Sequence, residues 1–225
     1  MVLKKLGIAL LAAFGIGAAA TSSQAISLTA GSSVATTGTT AASRPELAGT
    51  VIKDDLISFT GTDSLGNVYF TGELQVRIVR EDVAGTLDFY YRIMNDSTSA
   101  DAIERLSTTS FTGWTTDVDY RIDGLGTDPS YSATRSSSGS TVSFNFDNLS
   151  TLALEGVNPG DSSNFVFVKT TATAYTTGSA VILDGGRAAV SSYAPAYAAV
   201  PEPSTLLLLG SGMIGFAMIR KFRKG

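Results

Sequence analysis

Apolar and polar side chains alternate in short runs between residues 50 and 190. Residues 74–79 and 87–93 show the clearest alternation, and a connection at 80–85 separates them. A half-buried strand needs this period of two because successive side chains point to opposite faces of a sheet. The two runs therefore predict a β-hairpin.

The remainder of this region favours an all-β fold. Residues 118–122 and 142–146 alternate in the same way, and residues 165–175 form a longer β-branched and aromatic run. Neither a helical period nor an internal repeat is present. Two sheets that bury their apolar faces against each other predict an antiparallel β-sandwich of about seven to ten strands. A single-sheet barrel is the alternative.

The segments that flank this region differ from it in composition. Residues 26–44 are rich in Ser, Thr, Gly and Ala, and we interpret them as an edge strand or a loose arm. Residues 191–200 are rich in Ala, Tyr and Pro and predict a linker. We therefore place the sandwich domain at residues 26–190.

Residues 1–25 have the pattern of a secretory signal peptide. Lys4 and Lys5 precede an apolar run over residues 6–20, and Ser23 and Ala25 are small residues at the two positions that a signal peptidase inspects. We expect export through the Sec machinery and cleavage after Ala25. A retained membrane anchor is the alternative, although the run is short for a span of about 20 residues.

Residues 201–225 repeat the pattern in reverse order. Pro201-Glu202-Pro203 precedes an apolar stretch at residues 204–219, and a basic cluster follows, formed by Arg220, Lys221, Arg223 and Lys224. A helix over this stretch would be about 24 Å long, which is short for a bilayer core of about 30 Å. This predicts a weak transmembrane helix, as a temporary anchor requires, with the basic cluster in the cytoplasm. The alternative is an apolar core helix.

The order of these elements resembles the PEP-CTERM sorting signal of exported proteins of Gram-negative bacteria. Val200 to Thr205 carries the Pro-Glu-Pro motif, and Gly210, Gly212 and Gly215 lie in the apolar stretch before the basic residues. The resemblance implies processing by an exosortase, an integral-membrane protease or transpeptidase. It also implies delivery to the cell surface or extracellular matrix of bacteria that make exopolysaccharide. Pro201, Glu202 and Pro203 would then be recognised by the enzyme, and the basic cluster would act as the stop.

A weaker resemblance lies upstream of the motif. Residues 158–160 (Asn-Pro-Gly), 164–177, 178–186 and 193–195 (Tyr-Ala-Pro) look like the closing segment of many PEP-CTERM proteins. This likeness supports the family but implies no activity.

Composition excludes several kinds of chemistry. The chain has no His and no Cys, so a Ser-His-Asp or Cys-His nucleophile, a His or Cys zinc site and a disulfide cannot form. A glycosidase that uses two carboxylates would still be compatible, but nothing local marks such a pair. We therefore expect a non-enzymatic protein without a cofactor.

The charge of the exported part is strongly negative. Without Lys4, Lys5, the basic cluster and Glu202, 10 Lys+Arg and 19 Asp+Glu remain, a net charge of about −9. Nucleic acids and anionic lipids need cationic patches. We therefore expect no nucleic-acid partner.

Three acidic residues form the main candidate for a metal site. Asp117, Asp119 and Asp123 share one face of a predicted strand and precede a Gly-rich turn. Calcium prefers clustered carboxylates, but the spacing departs from known calcium loops. We favour a solvated strand face and predict no metal site.

Two aromatic residues are candidates for stacking on sugar rings. Tyr90 should point outward beside Arg92, and Trp114 follows Phe111-Thr112-Gly113. An aromatic face complements the apolar face of a pyranose, so a carbohydrate-binding module that acts on exopolysaccharide is the alternative to a structural surface or matrix protein. For Trp114 we favour a core position, because the only tryptophan of a sandwich is usually part of the core.

Overall fold

The structure is a computed structural model that describes residues 25–148 and 156–198. Within these residues the fold is all-β and antiparallel, which confirms this part of the prediction. A short 3-10 helix occupies Pro45–Leu47. No helix in the described part of the chain has the length and apolarity that a bilayer crossing requires. The eleven strands are β1 Ser33–Ala35, β2 Gly49–Thr62, β3 Val68–Glu81, β4 Leu87–Asn95, β5 Arg105–Thr108, β6 Thr116–Tyr120, β7 Ser132–Arg135, β8 Val142–Asn145, β9 Val166–Thr170, β10 Ala174–Asp184 and β11 Gly186–Ala196.

All eleven described strands belong to one curled sheet, in the order β1-β7-β8-β5-β10-β11-β2-β3-β4-β9-β6. The prediction of two separate sheets with seven to ten strands is therefore corrected. A single residue pair, Arg187 with Thr62, joins β11 to β2. Because this pair joins the two halves, they form one continuous curled sheet.

The core lies between the two halves of the curled sheet. Leu74, Val76 and Ile78 of β3 are fully buried in the same cluster as Leu106 of β5 and Phe144 of β8. Alternation along the strands places these side chains on the inner face, as the sequence pattern predicts.

A hydrogen-bonded tyrosine links the halves through this core. Tyr91 of β4 is fully buried. Its hydroxyl accepts a hydrogen bond from Thr108 at 3.1 Å and donates one to the carbonyl of Tyr193 at 3.3 Å. A buried phenol needs such partners, and these lie on β5 and β11 of the opposite half.

The predicted hairpin is confirmed, and two other boundaries are corrected. β3 and β4 pair in register, with Ile78 opposite Phe89. The run at 165–175 is not one strand, because it divides between β9 and β10. Residues 191–196 continue β11 and pair with β10, so they belong to the sheet and not to a linker.

Residues 26–35 connect the two edges of the sheet. Leu28 donates a backbone hydrogen bond to Thr116, and Val118 donates one to Ile26, so this segment lies along β6. β1 then pairs with β7. The segment is therefore an edge strand and not a loose arm, and it covers an edge that would otherwise expose unpaired backbone groups.

Four predicted elements lie outside the described residues. These are the signal peptide up to residue 24, the Pro201-Glu202-Pro203 motif, the apolar stretch at 204–219 and the basic cluster at 220–224.

Candidate functional site

The chain leaves the sheet beside Trp114. β11 stays paired with β10 up to Ala196, which lies opposite Ala174. The next residue, Tyr197, is 78% exposed, and its ring lies on that of Trp114 with 4.7 Å between the centroids and 33° between the planes. The interpretation of Trp114 as a core residue is thus wrong, because the side chain is only half-buried and lies at the exit of the chain.

A buried arginine fixes the turn that carries Trp114. Arg135 of β7 is 8% exposed. Its Nη2 donates to the carbonyls of Phe111 at 2.8 Å and Trp114 at 2.9 Å, while Nη1 donates to Leu28 and to the Thr116 hydroxyl at 3.0 and 2.9 Å. Burial lowers the pKa of the Arg135 guanidinium. The rigid fork of donors therefore joins three segments of the chain without a carboxylate partner among these contacts.

Tyr90 faces away from the main core, as predicted, but it is covered. Only 3% of it is exposed. Its ring contacts Phe165 and Phe167, with centroids 6.3 and 5.4 Å away, and Leu47 belongs to the same buried cluster. Tyr90 and Trp114 therefore have different ring partners, and the face of Tyr90 is not open to a sugar.

Residues 40–48 cover this outer face and insert a charged side chain into it. Arg44 is fully buried and forms ion pairs with Asp117 and Glu46. Its guanidinium carbon lies 5.6 Å from the centroid of Phe167. The sequence analysis misses this cluster because Arg44 is the one charged residue of residues 26–44, which are rich in Ser, Thr, Gly and Ala.

A buried carboxyl lies beneath the same segment. Asp88 of β4 is fully buried, and neither of its oxygens has a hydrogen-bond partner in the described residues. Burial raises the pKa of Asp88 to about 8, and the negative charge of Asp117 adds to the increase. A carboxylate glycosidase needs such a shifted acid in an open cleft, whereas the carboxyl of Asp88 is sealed from solvent.

The three acidic residues of the candidate metal site take separate structural roles. Asp117 pairs with Arg44, and Asp123 pairs with Arg121 at 2.7 Å. Asp119 is fully buried and accepts the backbone N–H of Gly38 at 2.9 Å, which corrects the expectation of a solvated face. Across residues 25–148 and 156–198, no three acidic side chains lie close enough to hold a metal ion.

The outer face of the other half-sheet carries hydroxyl groups. Ser107 and Ser143 share a hydrogen bond of 2.8 Å, and Thr109 and Ser179 share one of 2.9 Å. The sequence has no charged residue over 170–182 or 188–198. Arg105 and Arg187 are exposed on either side of Leu183 of β10, and beyond them the β10–β11 part of this face carries no charge.

A groove of about 490 Å³ lies where this face meets β2. Thr177, Ser191 and Tyr193 line it from the hydroxyl-bearing face, and Asp54 and Asp55 line it from β2. The hydroxyl of Tyr193 donates a 2.5 Å hydrogen bond to Asp55. Hydroxyls, two carboxylates and an aromatic edge thus meet in one open groove.

Comparison with known proteins gives a match to the segment that follows the sheet. Residues 199–224 match the sequence profile of the PEP-CTERM protein-sorting motif, and they contain Pro201, Glu202 and Pro203. No curated protein and no solved structure matches the chain. The match begins three residues after β11 ends, so it describes the sorting segment and not the sheet domain. The chain therefore carries a PEP-CTERM protein-sorting motif at residues 199–224, which supports an exported protein that is sorted by an exosortase.

Proposed function

We propose that the chain is a non-enzymatic protein of the bacterial cell surface or extracellular matrix. In this proposal the β domain is exported, and the sorting segment anchors it to the membrane only temporarily. The observation that carries the proposal is the match at residues 199–224, which follows directly on β11.

The proposed route begins with the Sec machinery and signal peptidase, which cleaves after Ala25. The apolar stretch at residues 204–219 then holds the chain in the inner membrane with the domain in the periplasm, and the basic cluster stays in the cytoplasm. An exosortase recognises Pro201-Glu202-Pro203 and processes the segment. Because the helix would be short for a bilayer, release from the membrane costs less than for a full-length span.

Substitution of the motif in the native host tests this proposal. The variants Glu202→Ala and Pro203→Ala should accumulate in the membrane fraction, and less protein should reach the outside of the cell. Pro159→Ala is the matched control, because Pro159 is exposed and lies outside the motif. Export and processing of both motif variants at the level of the natural chain would contradict the proposal.

A second function is favoured by the groove between the hydroxyl-bearing face and β2. We propose that Thr177, Ser191 and Tyr193 bind a neutral polysaccharide, because hydroxyl groups and aromatic edges complement sugar hydroxyls and C–H faces, and the carboxylates of Asp54 and Asp55 in the same groove can accept hydrogen bonds from sugar hydroxyls. Tyr90 takes no part in the proposed polysaccharide binding, because its side chain is buried.

Retention of the protein on a neutral and on an anionic exopolysaccharide distinguishes polysaccharide binding from a purely structural function. Thr177→Lys and Ser191→Lys should each reduce retention on the neutral polymer at least severalfold. Thr50→Lys, an exposed position of β2, should leave retention unchanged. If the natural chain is not retained on either polymer, the structural function alone stands.

A further inference from the structure

The distance between the sheet and the sorting motif is short. Only Tyr197 to Val200 separates the last residue of β11, Ala196, from Pro201. A fully extended chain of this length spans at most about 17 Å. An enzyme or membrane that holds the motif therefore also holds this end of the folded domain.

Several turns meet at this end of the domain. Thr115, next to Trp114, shares a 3.4 Å hydrogen bond with Thr171 in the connection between β9 and β10. Arg80 of β3 donates to the carbonyl of Thr173 in the same connection and to the carbonyl of Gly85 in the β3–β4 turn. We call this surface the exit end, formed by residues 82–85, 112–115, 171–175 and 197.

The exit end is poor in charge and exposes apolar and aromatic groups. Val83 is 96% exposed, Tyr197 is 78% exposed and Tyr175 is 38% exposed. Within these ranges the only charged residue is Asp82, and the guanidinium of Arg80 lies against the turns at 85 and 173. Over the rest of the exported chain, acidic residues outnumber basic ones. The exit end therefore has a low electrostatic cost of approach to a membrane that carries negative charge.

We infer that the exit end docks on the lipid headgroup region while the chain is anchored, with Trp114 and Tyr197 at the interface. Tryptophan and tyrosine favour this region because one part of each ring system is apolar and the other can hydrogen-bond to water and headgroups. The inference rests on the proposed anchoring by residues 204–219. It adds that the folded domain lies against the bilayer and does not stand off from it.

Docking of the exit end would also position the sorting motif relative to the membrane. Arg135 holds the Trp114 turn, and the ring of Trp114 holds Tyr197, so the direction in which the chain leaves the domain is set by contacts in the folded protein. With both rings at the interface, the intervening residues keep Pro201 within about 17 Å of the membrane surface. An integral-membrane enzyme can reach it at this distance.

Trp114 can serve as an intrinsic fluorescence probe, because it is the only tryptophan of the chain. The full chain is reconstituted into phosphatidylcholine vesicles with and without lipids brominated on the acyl chain near the headgroup, and Trp114 emission is recorded. We expect a blue shift and at least a twofold loss of emission in the brominated vesicles. Flotation of the same samples reports whether the chain is anchored.

Two lysine variants make the test specific to one end of the domain. Val83→Lys should reduce the quenching of Trp114, because it puts a charge on the exit end. Leu65→Lys is the control, because Leu65 is 85% exposed in the β2–β3 turn, at the opposite end of the same strands. It should leave the quenching unchanged.

The outcomes separate this inference from the proposed function. A chain that does not float with the vesicles overturns the anchoring itself. A chain that floats but shows the same Trp114 emission in both kinds of vesicle keeps the anchor and overturns the docking. Equal quenching in the Val83→Lys and Leu65→Lys variants overturns the assignment to the exit end.

Discussion

Arg44 donates hydrogen bonds to both carboxylate oxygens of Asp117, 73 residues further along the chain. The guanidinium is completely buried, and the Asp117 side chain is 14% exposed. This pair attaches residues 40–48 to the outer face of β6 and β9, where they cover Tyr90 and Asp88. A buried pair of this kind is costly to break, since removal of one partner leaves the other charge unpaired.

Arg44→Ala should therefore destabilise the domain by about 3 kcal/mol or more. Chemical denaturation measures this as a lower midpoint at an unchanged slope. Lys53→Ala is the control, because Lys53 and Asp55 form an ion pair whose side chains are 37% and 33% exposed. That change should cost about 0–1 kcal/mol. Equal losses for the two variants would show that Arg44 does not hold the covering segment.

Asp88 should make the stability of the domain depend on pH. Its pKa is raised from 3.8 to about 8 by burial and by Asp117, so the folded state binds a proton that the unfolded state releases between these values. Stability therefore falls as pH rises from about 4 to about 8, and the effect levels off above that range. Below pH 4 the carboxyl is protonated in both states and contributes no difference.

The variant Asp88→Asn removes this titration. Its free energy of unfolding relative to the natural chain should increase from pH 4 to pH 8 and stay constant above pH 8, and urea denaturation at pH 4, 6, 8 and 9 measures it. The comparison cancels the other acidic groups, including Glu46. A difference that is flat with pH would contradict the assignment.

The strand pattern could be predicted where one face of a strand meets the core. Leu74 to Ile78 and Phe89 to Ile93 alternate strictly, so their hairpin follows from the sequence. The connection between the two halves could not be predicted, because it depends on one backbone pair, Arg187 with Thr62. Alternation fixes which side chains share a face but not which strand edges meet.

The candidate site was predictable only in part. The Pro201-Glu202-Pro203 motif could be predicted because it is a short run of consecutive residues and does not depend on the fold. The match at residues 199–224 confirms the resemblance. The outward direction of Tyr90 was also predictable from alternation. Its coverage was not, because it depends on Arg44 and Leu47, which approach from a distant segment with no apolar period.

A comparison of two glycines with similar φ angles tests how closely the turn after β6 packs against its neighbours. Gly126 has φ +93°, and a Cβ there would lie 1.8 Å from the carbonyl oxygen of Ser163. Gly66 has φ +88°, but a Cβ there would meet nothing within 4 Å. Gly66→Ala should cost about 1–2 kcal/mol from the left-handed backbone alone, and Gly126→Ala should cost clearly more. Thermal unfolding of the two variants makes the comparison, and equal shifts would contradict the close approach.

Arg135→Lys should loosen the turn at the chain exit. Lysine has three donors on one nitrogen and cannot reproduce the fork that reaches Phe111, Trp114 and Leu28. We expect a loss of about 2 kcal/mol in stability and a lower anisotropy of Trp114 fluorescence. Arg105→Lys, an exposed position, should change neither. Unchanged anisotropy in the Arg135 variant would show that other contacts hold the turn.

The intact mass of the protein recovered from outside the native cell tests the central claim most directly. The account predicts a chain that begins at Ile26, ends near Pro201-Glu202-Pro203 and lacks the apolar stretch and basic cluster, with any attached carrier visible as added mass. Recovery of that exported protein with residues 204–225 still attached would contradict it.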